Sequence, residues 1–155
     1  MNRRGSKEHD PTMQRHHLLP RQLLGRQCFG RMFAAIGRGR VRFDDFRANG
    51  LLLPATEKAS LRTSLPLHRG PHHRYNEMVI ERVGAIEADW ATTRLRSPEG
   101  AAEQAVFRLA LLQRALRRRL LAERNRIILN RNDPLGTGFD FTELDAMAEA
   151  LWATT

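Results

Sequence analysis

The chain has 155 residues, with 26 Lys and Arg against 17 Asp and Glu, a net charge of +9 and a single cysteine. Its 41% hydrophobic and 28% charged content is that of a folded globular chain. Lone Cys28 excludes an intramolecular disulfide framework and every cysteine-based zinc motif, and no apolar run approaches the ~18 residues of a membrane span.

Residues 1–12, with Gly5, Ser6 and Pro11, read as a flexible lead-in without the apolar stretch of a secretory signal. Thr12–His17 reads as a short extended piece, closed off by Pro20. Leu24, Cys28, Met32 and Ile36 recur every four residues, with Phe29 and Phe33 alongside, which predicts a helix over 21–36 with Cys28 in the core and Gly37 as its stop. Gly37–Arg42 reads as a loop, Asn49-Gly50 as a turn and Leu51-Leu52-Leu53 as a buried strand. A second loop is expected from Pro54 to Gly70, with Pro71 at the first position of the next helix. Val79, Val83, Ile86 and Trp90 give that helix one apolar face. Ser97-Pro98-Glu99-Gly100 is a break before the longest helix, roughly 101–130, with Leu109, Leu112, Leu116 and Leu120 as its buried stripe. A last acidic helix is expected over 142–153. The pattern predicts an α+β, mostly helical fold, with a core over 13–97 and a helical extension over 98–155 that packs on it.

The positive charge is almost all arginine, since only Lys7 and Lys58 are lysines. Arg forks match phosphate oxygens bidentately and stack on bases, so nucleic acid is the partner this bias suits. The charge is also uneven: residues 1–132 carry +14 and the remainder −5. A basic body with an acidic end points to a polyanion for the body.

Five of the six histidines fall in two clusters, His16-His17 and His68/His72-His73. Such density suits ligation of a transition metal or proton transfer near neutral pH. Adjacent residues of a strand point to opposite sides. Where a strand ends and bends, one of His16 and His17 can face a metal and the other the substrate. His68 and His72 are four apart and straddle the predicted helix start, close enough to share an ion. Against these stand plainer readings: Asn49-Gly50 as turn chemistry, and the Arg-rich helix as a solvated face with some phosphate affinity.

His16-His17-Leu18-Leu19-Pro20, Asn49-Gly50-Leu51-Leu52-Leu53-Pro54 and Leu67-His68-Arg69-Gly70-Pro71-His72-His73-Arg74-Tyr75-Asn76, in this order, resemble the AHH family of the HNH/endonuclease VII (His-Me finger) superfamily. Members of that family resemble nuclease modules of bacterial polymorphic toxins. The resemblance covers about residues 13–90. It implies a small ββα-metal finger with a helical insertion; the two predicted C-terminal helices, beyond residue 97, lie outside the resemblance. It further implies His17 as general base, and Asn49 as the residue that holds the loop and so the base. His16, His68 and His72 become ligands of one divalent metal ion, and Arg15, Arg69, His73, Arg74, Tyr75 and Asn76 line the substrate. Two features depart from the family pattern. Arg15 stands where the family name has Ala, and a helix-sized insertion separates His17 from Asn49.

The activity implied is metal-dependent hydrolysis of phosphodiester bonds in DNA or RNA. It needs an activated water, a neutralised phosphate and a stabilised leaving oxygen. Imidazole, with an ordinary pKa of about 6.5, is mostly free base at physiological pH and can take the water's proton. Imidazole ligands favour zinc or nickel, and the superfamily also uses magnesium. The implied context is a toxin effector, cytoplasmic or delivered into a target cell's cytoplasm, with an acidic immunity protein as a second partner and no membrane partner. The alternatives are a non-catalytic, basic nucleic-acid-binding module with a structural His-ligated metal and, last, a zinc hydrolase of other substrates, which lacks an H-E-x-x-H motif.

Overall fold

The computed structural model describes residue 2 and residues 5–136, so the acidic helix expected over 142–153 lies outside the described residues. Those residues are mostly helical, with one two-stranded sheet made of β1 (Met13–His17) and β2 (Gly50–Pro54). The fold is α+β, as expected. The chain divides into two compact units: Met1–His16, Gly50–His72 and Ala115–Thr155 form one, and His17–Asn49 with His73–Arg114 the other.

In the first unit β2 is buried along almost its whole length, with Leu53 fully enclosed, which is why it reads as a continuous apolar run rather than an alternating one. The Ala55 N–H donates to the Thr12 carbonyl at 2.7 Å, extending the β1–β2 pairing by one step. The loop expected over 54–70 contains a helix, α4 (Glu57–Thr63 in this unit), which packs on β2. The Thr56 hydroxyl caps it by accepting from the Ala59 N–H at 3.2 Å. Periodicity concealed this helix because its buried side chains are the small Ala59 and Ser60, while Leu61 is exposed.

The second unit opens with a 3-10 turn (Arg21–Gly25), then α1 (Gln27–Ile36), α2 (Arg38–Val41) and α3 (Phe46–Asn49). The single helix expected over 21–36 is therefore broken at Arg26, whose backbone is extended after the conformationally loose Gly25. The buried stripe of α1 is Phe29, Met32, Phe33 and Ile36, and it packs against α5 (His73–Thr93). Cys28 is exposed, so its expected core position is corrected: with the break, the apolar face turns toward Phe29 and Phe33. Gly37 stops α1 as expected, at φ +79°, a conformation that favours glycine. The expected Gly37–Arg42 loop holds the single turn α2, and in place of the expected Asn49-Gly50 turn Asn49 closes α3 and Gly50 opens β2. Between these turns Arg42 pairs with Asp45. That hydrogen bond, with the Arg47 N–H, holds the Asp45 carboxyl below its ordinary value of 3.8. The stabilisation is therefore complete above about pH 4 and is lost only as pH falls through the lowered value.

Helix α5 starts at His73, two residues beyond Pro71, and buries Val79, Val83, Ile86 and Trp90 as the spacing predicts. Helix α6 runs Pro98–Leu120, with proline at its first position. Its leucine stripe is buried, but it ends about ten residues before the expected stop. Two features show that the chain beyond it does not continue the helix. Asn125 adopts a left-handed conformation at φ +51°, and Ile127-Ile128-Leu129 are all buried, a run that one helical stripe cannot bury.

Candidate metal centre

Strand β1 buries His16, which is 4% exposed, and leaves His17 half-buried. His68 follows the buried Leu67, and its N–H donates to the Pro54 carbonyl at 2.7 Å, continuing from the end of β2. Gly70 then takes φ +78°, and this turn returns the chain so that His72 stands beside His68. The two rings thus meet across a glycine turn rather than by helical i, i+4 stacking, because α5 begins only at His73.

The three rings form one cluster. Centroids lie 4.4 Å apart for His68–His72, 5.0 Å for His16–His68 and 5.8 Å for His16–His72. One ring nitrogen from each of the three lies within 4.8 Å of the others. A tetrahedral ion with nitrogens at about 2.0–2.1 Å requires roughly 3.3 Å between them, a distance that small side-chain rotations close. The surroundings also set the tautomers. His72 Nδ1 lies 3.2 Å from the Leu129 carbonyl, which can only accept, so Nδ1 carries the hydrogen and Nε2 presents its lone pair. His68 Nδ1 lies 3.2 Å from Gln14 Oε1, which favours the same arrangement. The donor set therefore fits a divalent cation of the first transition row.

The other candidates group differently. Asn49 is fully buried in the second unit. Its Oδ1 accepts from the Leu19 N–H at 2.7 Å and from Gln113 Nε2 at 3.2 Å, and its Nδ2 donates to the Leu19 and Phe43 carbonyls at 3.1 Å each. Its own carbonyl accepts from the Leu18 N–H at 2.9 Å. The two residues that follow His17 are therefore tied to Asn49 through both main chain and side chain. Asn49 offers no exposed atom to a substrate. Tyr75 is likewise corrected from a substrate contact to a core residue: it is 2% exposed, and its hydroxyl donates to the Leu18 carbonyl at 2.7 Å. Burial raises its phenol above the ordinary value of 10.0, so the group stays protonated. The His17 ring meets Phe46 edge-on at 6.3 Å. Arg15, Arg69, His73 and Arg74 are exposed and Asn76 is half-buried.

Sequence reasoning missed Gln14, Leu129 and Gln113, because a carbonyl or amide that orients another group leaves no spacing pattern. Asn49→Ala is expected to strand the buried Leu19 N–H and C=O and to lower stability by about 3 kcal/mol. A lower urea midpoint at unchanged m-value is the readout.

A family model described as AHH, a nuclease family of the HNH/ENDO VII superfamily with conserved AHH, matches residues 1–116. No curated protein and no solved structure matches the chain.

Proposed function

The chain belongs to the AHH nuclease family of the HNH/ENDO VII superfamily, and from that premise we propose that it is a metal-dependent endonuclease acting on DNA or RNA. The observation that carries the metal dependence is the cluster of His16, His68 and His72, three imidazoles from two distant segments with one nitrogen each inside a 4.8 Å group. These three residues would hold the cation, zinc or nickel by donor softness, or magnesium. When bound, it supplies positive charge to the phosphate and to the departing oxygen. His17 takes the proton of the attacking water. Asn49 and Tyr75 fix the backbone just after His17, which keeps that ring in register. Arg15, Arg69 and Arg74, all exposed, bind phosphates along the strand, with His73 and Asn76 as further polar contacts.

Digestion of supercoiled plasmid and of total RNA, with and without a chelator, tests the proposal. Cleavage of at least one polymer that stops with chelator and returns with added metal is expected. Cleavage indifferent to chelator overturns the metal dependence, and binding without cleavage returns the alternative of a structural metal. The arginine surface predicts a second result: nucleic-acid affinity falls by about tenfold or more between about 50 and 200 mM salt. A flat response reduces those arginines to a solvated face.

The biological setting we propose is a toxin effector restrained by a small acidic protein, supported by the +14 charge of residues 1–132. Expression in a bacterial host is then expected to arrest growth, and an acidic partner that restores growth to bind the basic chain in a salt-sensitive way. No helix among the described residues is long and apolar enough to cross a membrane. The partition into a nuclease core over 13–97 and an extension over 98–155 is part of the same proposal.

A further inference from the structure

The family match ends at residue 116, yet the loop that carries His68 and His72 is held by residues that come later. Asp133 is only 6% exposed. Its Oδ2 accepts from the Leu67 N–H at 2.7 Å, while Oδ1 accepts from the Leu135 N–H at 3.0 Å and lies 3.4 Å from Ser60 Oγ. The Asn130 side chain donates to the Arg69 carbonyl, and the Leu129 carbonyl accepts from His72 Nδ1. These contacts fall at residues 67, 69 and 72 and so bracket both ligand histidines. The next amide along, that of His68, donates instead to the Pro54 carbonyl. Successive N–H groups of this extended segment are therefore gripped from different places, one by the end of β2 and one by the carboxylate of Asp133.

A buried carboxylate on a backbone amide makes a charge-assisted bond, stronger than the neutral bonds around it. Without it, the segment Leu65–His72, which includes the positive-φ Gly70, would sample many arrangements, and binding an ion would have to restrict them again. We propose that Asp133 is a positioning residue of the metal centre. With the Leu129 carbonyl, it sets His68 and His72 at the separation and tautomer that a divalent cation requires. The inference rests on the reading of His16, His68 and His72 as the ligands.

The test uses the full chain and Co2+ as the probe, with binding followed by its visible absorption and by competition with Zn2+. Asp133→Ala is expected to weaken Co2+ binding by about 10–100-fold, the range for losing a group that orients a ligand. Asp133→Asn, which keeps one acceptor oxygen, is expected to fall between that variant and the parent. In the metal-free chain, amide exchange at Leu67 is expected to accelerate in both variants. A role confined to stability would lower the unfolding midpoint and leave the Co2+ affinity and spectrum of the folded protein unchanged, and that result overturns the proposal. Should the alanine variant fail to fold, the asparagine variant decides alone, with unchanged affinity counting against the proposal. A parent chain that gives no Co2+ absorption removes the ligand assignment and this inference together. A parent that binds, alongside variants that bind equally tightly, removes only this inference.

Discussion

His17→Ala is expected to lower kcat by about 10²–10⁴-fold, the usual contribution of a positioned general base. The loss should fall on kcat with KM nearly unchanged, because proton transfer to the imidazole belongs to the transition state and not to substrate binding. The fold should survive. The His17 ring is half-buried, and its edge-on contact is with Phe46, so truncation is expected to cost about 1 kcal/mol. The backbone hydrogen bonds of Leu18 and Leu19 do not involve the His17 side chain. Metal affinity should also be retained, since the three clustered imidazoles are untouched. A variant that is folded, binds metal and cleaves nucleic acid at the parent rate would remove His17 from the mechanism.

The second large effect concerns the ligands. His68→Ala or His72→Ala takes one imidazole from a set of three. Zn2+ affinity should fall by more than the ~10–100-fold typical of disturbing a ligand's partner. Cleavage should disappear with it. Nucleic-acid binding should persist, because Arg15, Arg69 and Arg74 are exposed and keep their charge in either variant. Titration with Zn2+ against a chromophoric chelator reads the first effect, and a gel-shift assay in chelator reads the last. An alanine variant with parent affinity for Zn2+ would falsify the assignment of that histidine. For His72 the result also bears on the tautomer argument, since Leu129 would lose its partner as well.

Much of this centre is legible in the sequence. Histidine pairs are rare enough that His16 and the His68/His72 pair declare themselves, and the buried leucines of β2 mark the strand behind them. What is not legible is how His68 meets His72. A Pro71 helix start would have left His68 just before the helix and His72 in its first turn, whereas both precede α5 and meet across the positive φ of Gly70. Tyr75 shows a second limit. Its place in a run of polar residues suggests a surface role, but the helical face it shares with Val79 and Met78 turns it inward, and its hydroxyl donates to the Leu18 carbonyl. The end of α6 shows a third: the leucine stripe itself ends at Leu120, where the helix stops, and beyond it Asn125 is left-handed and Ile127-Ile128-Leu129 are all buried, which one helical stripe cannot accommodate.

The glycine turn and the late-arriving Leu129 and Asp133 have a bearing on how a cell can make such a chain. Synthesis runs from the amino terminus, and His16 leaves the ribosome long before His72 is added. The carbonyl that fixes the His72 ring and the carboxylate on Leu67 follow some sixty residues later still. A product that stops before Leu129 therefore lacks both groups that hold the loop bearing His68 and His72.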